Sequence, residues 1–198
     1  RPWGRSTAMT ADWLSPPPWL SPEAQALAGQ LLSSHQRAFA TPLLAGLAAD
    51  ASPGLIAQEL FAAEVVVLAH DGADPSSEPG PRLIYANRAA LRLWRRPWEA
   101  MVGMPSRLTA EPAERASRRQ ALLAAQAQEC LRGYRGIRID SSGRRFAIEG
   151  ACLWSLRDGT GRPCGQAARF SSWWLLGVNA EPSRGGRTAK GGLHPVGY

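Results

Sequence analysis

Hydrophobic side chains recur with two different periods along this chain. Between residues 22 and 49 they return every three or four positions, which predicts a helix that begins at Pro22 and is broken or kinked at Pro42. The same spacing predicts a second helix over residues 53–63. The apolar run that follows, EVVVLAHDG at residues 64–72, predicts a buried strand because it is rich in β-branched side chains.

The middle of the chain combines a short strand with several helices. Residues 83–85 predict a strand, and Asn87 follows it as the N-cap of a short helix, since an asparagine side chain accepts hydrogen bonds from the amides of the first turn. The stretch RPWEAMVG predicts another short helix that ends at Gly103. Residues 113–133, rich in alanine and leucine, predict the longest helix.

After residue 133 the period changes to two. Three successive strands are predicted, joined by polar turns typical of β-hairpins: YRGIRID, RRFAIEGACLWSL and CGQAARFSSWWLLG. Strands at both ends with helices between them predict an α+β fold with one antiparallel sheet. The chain would then have four parts: an extended arm at 1–21, an N-terminal helical extension at 22–63, the sheet domain at 64–177 and a disordered tail at 178–198.

Composition narrows the classes of function. The net charge is +7, but Lys190 is the only lysine, and we attribute the many arginines to compositional bias rather than to phosphate binding. The positive charge forms no dense stripe, so nucleic-acid binding is not expected. The three cysteines are odd in number and form no close pair, which predicts a reducing, cytoplasmic setting. There is no CxxC pair and the three histidines lie far apart, so no metal site is expected. No apolar run has the length of a membrane helix.

Several separated motifs resemble one known family. They are YANRAALRLW, PSRLTAEPAERASRRQALL, YRGIRIDSSGRRFAIEGACLWSL and GQAARFSSW, preceded by LLSSHQRAFATPLL. In this order they resemble the MEKHLA-domain family, a group related to PAS domains. The family includes small stand-alone bacterial proteins and the C-terminal part of plant homeodomain–leucine zipper regulators. The resemblance covers roughly residues 25–175.

The resemblance implies a PAS-like five-stranded antiparallel sheet with helices on one face and an N-terminal helical extension. It also implies a sensory or small-molecule-binding module without its own output domain, which signals through protein partners. The alternative is a ligand-free module for protein–protein interaction or homodimerisation. We expect no enzyme, because no Ser-His-acid set, paired carboxylate motif or phosphate loop occurs in the sequence.

The cavity of such a fold supplies the candidate ligand-binding residues. Gln166 is the first, because flavin-binding relatives of the fold place a hydrogen-bonding glutamine in this strand; the alternative is a glutamine that caps the sheet edge. Arg107 either clamps an anionic ligand or pairs with a local carboxylate. The remaining candidates are aromatic: Trp94, Phe146, Trp154 and Phe170. Trp94 has core or lid packing as its alternative.

The strand at residues 146–154 carries two further expectations. Strict alternation would place four of its side chains on one face: Phe146, Ile148, Cys152 and Trp154. Glu149 would lie on the other face and pair with an arginine of a neighbouring strand, such as Arg138 or Arg169.

The resemblance also limits the cofactor. Light-sensing flavin relatives carry an Asn-Cys-Arg motif in the crossover, which this chain lacks, and no histidine between residues 71 and 193 is available to ligate haem iron. The identity of a cofactor therefore stays open, with a non-covalently bound flavin or another aromatic molecule as candidates.

Overall fold

The computed structural model describes residues 15–177. Most of the predicted N-terminal arm, residues 1–14, and the whole predicted tail at 178–198 lie outside the described residues. At residues Pro18–Leu20 the chain forms one turn of 3-10 helix, and Trp19 stacks on Phe61 with the two ring centroids 4.0 Å apart. The last part of the predicted arm is therefore packed against the helical extension.

Five α-helices and six strands follow within the described residues. The helices are α1 (Pro22–Phe39), α2 (Pro53–Ala62), α3 (Arg88–Trp94), α4 (Trp98–Met101) and α5 (Arg115–Gln128). The strands are β1 (Val66–Asp71), β2 (Leu83–Ala86), β3 (Cys130–Ile139), β4 (Arg145–Arg157), β5 (Pro163–Phe170) and β6 (Ser172–Leu175). Within residues 15–177, no helix is both long and apolar enough to cross a membrane.

Two predicted helices are shorter than expected. The first ends at Phe39 because Ala40 adopts the left-handed conformation, so residues 41–49 are not helical. The long helix ends at Gln128, and the four residues that follow Glu129 belong to β3 instead. Cys130 pairs with Trp154 there, because β4 is long enough to offer backbone partners beyond the hairpin. Long-range pairing thus overrides the local helical preference of this segment.

The strands form one antiparallel sheet in the order β2-β1-β5-β4-β3. The short strand β6 continues β5 along β4: Arg169 lies opposite Cys152, and Ser172 opposite Glu149. The last predicted strand is therefore interrupted at Ser171, which makes six strands from the five expected. The predicted α+β fold is confirmed.

Helices cover both faces of this sheet. On the outer face, α1 and α2 bury Leu31, Phe39 and Leu60 against residues such as Trp154 of β4. On the inner face, α3 and the segment after it pack against Phe146 and other side chains of the sheet, and α5 closes one end. Burial on both sides explains why most strands carry apolar residues in both alternating sets.

The alternation of β4 reverses in the middle of the strand. Tyr134 pairs with Ala151 and Gly136 with Ile148, so β4 has one extra residue between these pairs, at a bulge containing Gly150 with a φ of +66°. The expectation that Phe146, Ile148, Cys152 and Trp154 share one face is therefore wrong. Phe146 and Ile148 point inward, whereas Cys152 and Trp154 lie against α1 on the outer face.

Glu149, next to this bulge, forms an ion pair with an arginine of the neighbouring strand β3, and this part of the expectation is correct. The partner is Arg135 and not Arg138 or Arg169. Arg138 points into the inner face, and Arg169 bonds to α1, so neither is available to Glu149.

The side chain of Asn87 joins three elements, α2, β1 and α3. As predicted, its Oδ1 caps α3 by accepting from the amide of Ala90 at 3.1 Å, and it also accepts from the amide of Val67 in β1 at 3.0 Å. Its Nδ2 donates to the carbonyl of Val65 at 2.7 Å, with the carbonyls of Leu60 and Ala63 also within range. Asn87 is fully buried, so no solvent would replace these bonds.

Asn87→Ala should lower the free energy of unfolding by about 3 kcal/mol or more, because it leaves several buried backbone groups without partners. Ser52→Ala is the matched control. Ser52 caps the exposed start of α2 through the amide of Leu55. Losing that ordinary cap should cost about 1 kcal/mol. Urea denaturation of both variants checks the difference, and equal losses would contradict the role given to Asn87.

Candidate functional site

A cavity of about 50 Å³ lies on the inner face of the sheet, between the strands, α3 and α5. Most of its lining is apolar, including Leu68, Leu83, Leu122, Ile148, Ala151 and Leu153. The inward turn of Ala151 and Leu153 is a consequence of the bulge at Gly150. Without it, the side chains of Cys152 and Trp154 would point into this space.

Three of the six candidate residues lie at the wall of this cavity: Trp94, Gln166 and Phe170. Gln166 is buried in the middle of the sheet, and its Nε2 donates to the carbonyl of Leu122 in α5 at 2.9 Å. Trp94 donates its indole N–H to the carbonyl of Thr109 at 3.3 Å. Gln166 thus fixes α5 beside the cavity. Trp94 likewise fixes the segment between α4 and α5, to which Thr109 belongs.

The other three candidates lie elsewhere. Phe146 is behind Trp94, in edge contact with it at 5.1 Å between ring centroids, and is not part of the cavity wall. Trp154 lies on the opposite face of the sheet, against His35 and Phe39 of α1. Arg107 forms an ion pair with Glu78 at 2.9 Å near the surface, the structural alternative that the sequence left open.

Four polar cavity residues were not identified from the sequence as candidates: His70 on β1, Arg118 on α5, and Tyr134 and Arg138 on β3. A signal for Arg118 exists in the sequence. It precedes Leu122 and Ala125 by four and seven positions, so this arginine stands on the buried stripe of an amphipathic helix. Attributing all the arginines to compositional bias hides this position of Arg118.

The electrostatics of the cavity are dominated by the two arginines. Burial, with repulsion from Arg138 as the second cause, lowers the pKa of Arg118 to about 9, so Arg118 remains cationic at neutral pH. Burial lowers the pKa of His70 to about 4 despite its hydrogen bond to the carbonyl of Asp71, and Arg118 lowers it further. The site therefore combines two positive charges with one neutral imidazole.

A polar contact between β5 and α1 lies on the outer face of the sheet. Arg169 of β5 donates from Nε to Nε2 of His35 in α1 at 2.7 Å. The Nδ1 of His35 lies 2.9 Å from the carbonyl of Thr41, so Nδ1 carries the proton and the imidazole is neutral. Because His35 is fully buried, this contact ties β5 to α1 within the core.

Solved structures similar to this chain share its fold. One is an RNA-binding light-oxygen-voltage receptor, with a TM-score of 0.51 at 22% identity over 65% of this chain and 35% of the receptor. Another is a PAS domain from Colwellia psychrerythraea, with a TM-score of 0.48 at 13% identity over 57% of this chain and 90% of that one. The chain thus matches about a third of the receptor's length. At 22% identity, the likeness to the receptor shows a shared fold and no more.

The model of the MEKHLA domain matches residues 25–175 of the sequence. The chain belongs to the MEKHLA domain family, so the resemblance seen in the sequence motifs is confirmed. No curated protein matches the chain.

A flavin, the cofactor of light-oxygen-voltage relatives, does not fit the cavity as it stands. Pockets for ligands of that size measure several hundred Å³, whereas this cavity measures about 50 Å³. We therefore assign no flavin chemistry to the cavity residues.

Stability should fall as the pH drops from 7 to 5, because His35 and His70 are buried in neutral form. Both have a folded-state pKa of about 4 against an ordinary value of 6.5. The unfolded state therefore binds more protons between these values, and each histidine should remove roughly 2 kcal/mol of stability by pH 5. Asp140 does not interfere, because its pKa lies below its ordinary 3.8.

Urea denaturation of the wild-type protein and His35→Gln at pH 5, 6 and 7 checks this prediction. The variant should be less stable at pH 7 and should lose roughly half of the pH dependence. Parallel pH profiles for the two proteins would show that His35 is not buried in neutral form.

Proposed function

We propose that this domain is a sensory module that holds a small molecule in the inner cavity and reports its presence to a protein partner through α1. The observation that carries the proposal is the position of β5. Its residues Gln166, Ala168 and Phe170 line the cavity, while the intervening Arg169 bonds to His35 of α1 on the opposite face. One strand is therefore shared by the ligand site and the N-terminal helix.

The proposed mechanism is a change in how α1 packs on the sheet. A molecule that contacts Ala168 or Gln166 displaces the backbone of β5. The hydrogen bond between Arg169 and His35 transmits this displacement to α1. Ligand binding shifts the balance between the two packings only as far as the ligand prefers one of them. In this proposal the domain binds rather than catalyses, and it acts in the cytoplasm, where its three free cysteines, all in the described part, remain reduced.

The first test is the absorption spectrum of freshly purified protein, followed by mass spectrometry of its denatured extract. The proposal expects a recurrent small molecule. Its removal should change the hydrogen-exchange rates of the amides in α1. Arg169→Gln should retain the molecule but abolish that change, whereas Arg162→Gln, in the exposed β4–β5 turn, should behave like the wild type. A clean extract with a normally stable protein would contradict the proposal.

A second candidate, a ligand-free dimerisation module, is favoured by the surface of β6. Trp173, Trp174 and Leu175 are 43%, 48% and 49% exposed, which is unusual for large apolar side chains. In the described part of the chain, β6 pairs only with β4, so its other edge is open. Trp174 lies opposite Ala147, on the outer face of the sheet.

This second candidate expects the wild-type protein to be a dimer and Trp174→Arg to be a monomer. Size-exclusion chromatography with light scattering measures both masses. Leu55→Arg, which changes an exposed apolar residue of α2, is the control and should leave the dimer intact. A monomeric wild-type protein at high micromolar concentration would remove the candidate.

A further inference from the structure

Arg118 and Arg138 both line the cavity, Arg118 partly buried and Arg138 buried, and the described residues do not neutralise their charges. The ion pairs of the described part involve five other arginines. Arg138 donates to the hydroxyl of Tyr134 at 2.9 Å and to the carbonyl of Ile137 at 2.8 Å, but these neutral groups leave its charge uncompensated. No described group accepts a hydrogen bond from Arg118. Charges in a protein interior are normally paired, so this arrangement favours an anion between the guanidinium groups.

Gly136 leaves room for the guanidinium group of Arg138, which lies on the same strand, β3. A Cβ at this position would lie 2.7 Å from the hydroxyl of Tyr134 and 2.8 Å from Nη1 of Arg138. Any side chain at residue 136 would therefore displace both groups. The glycine lets Tyr134 and Arg138 meet over the strand and keeps the guanidinium beside the cavity.

His70 adds a hydrogen-bond acceptor to the same cavity. Its Nδ1 lies 2.7 Å from the carbonyl of Asp71, and a carbonyl can only accept, so Nδ1 carries the proton. In the neutral ring, Nε2 is then an acceptor, and no described group donates to it. An anionic oxygen would be repelled by Nε2, whereas a hydroxyl group would donate to it.

The size and polarity of the cavity limit the anion further. A volume of about 50 Å³ accommodates roughly four or five non-hydrogen atoms. Most of the rest of the wall is apolar, including Leu122, Ile148 and Phe170, which suits a carbon atom better than the outer oxygens of phosphate or sulfate. A carboxylate is also the group that a planar guanidinium binds through two parallel hydrogen bonds.

We propose that this cavity binds a small 2-hydroxycarboxylate, with its carboxylate between Arg118 and Arg138 and its hydroxyl donating to Nε2 of His70. The inference rests on the proposed sensory function and gives the chemical class of the molecule that is sensed. Both charged residues are binding residues in this assignment, and Tyr134 and Gly136 position Arg138.

Calorimetric titration of the full chain tests the assignment with glycolate, which has five non-hydrogen atoms, as the probe. Acetate, which lacks the hydroxyl, should bind roughly fivefold more weakly, and the uncharged analogue glycolamide roughly tenfold more weakly or not at all. Sulfate should also bind more weakly than glycolate, because its outer oxygens meet the apolar wall.

Arg118→Gln should weaken glycolate binding by roughly tenfold or more, whereas Arg119→Gln, an exposed neighbour on the same helix, should not change it. Arg118→Gln should also raise the melting temperature of the ligand-free protein, because it removes an unpaired buried charge. This second measurement shows that the variant folds and that the charge is costly without its ligand.

Several results would overturn the assignment. They are the absence of glycolate binding at tens of millimolar, equal binding of glycolamide, equal binding of sulfate, or glycolate binding that is unchanged in Arg118→Gln. If the protein extract nevertheless contains a recurrent neutral or aromatic molecule, the sensory function stands and only the ligand class is wrong. If the extract contains none, the sensory function fails as well.

Discussion

The hydrogen bonds of Asn87 hold together the parts of the fold on which the cavity depends. One buried side chain accepts from β1 and α3 and donates to the chain between α2 and β1. Since α3 carries Trp94 to the inner face and α2 belongs to the cover of the outer face, this residue fixes both layers relative to the sheet. Few alternative packings satisfy the same buried groups, which makes the geometry specific.

The sheet that Asn87 anchors contributes to two interiors, one on each face. The inner one contains the cavity with its arginines, and the outer one contains the aromatic contacts of His35, Phe39 and Trp154. The strand β5 contributes to both interiors, and in the proposed function it transmits displacement from one side to the other. Arg132 and Arg169, which lie over the ring of Phe39, place cationic groups at the edge of α1.

In the proposed anion site, ligand binding and stability of the ligand-free fold make opposite demands. Two like charges close together in a largely apolar space destabilise the folded chain, and a pair of apolar residues at these positions would pack more favourably. Burial and mutual repulsion lower the pKa of Arg118 for the same reason. Such an arrangement is understandable where a bound anion removes the repulsion, so that the occupied and unoccupied states differ clearly in free energy.

The sequence by itself determined the order of the elements, the α+β class, the Asn87 cap and the family, because these depend on residues that are neighbours in the chain. The tertiary structure alone decided which residues meet. The bulge at Gly150 reversed the alternation of β4 and sent Trp154 to the outer face, and pairing with β4 converted the end of the predicted long helix into β3. That Arg118 and Arg138 line one cavity could not be predicted either, since contacts between elements depend on groups that are distant in sequence. A residue's local pattern specifies its conformation, but its environment is specified by the rest of the molecule.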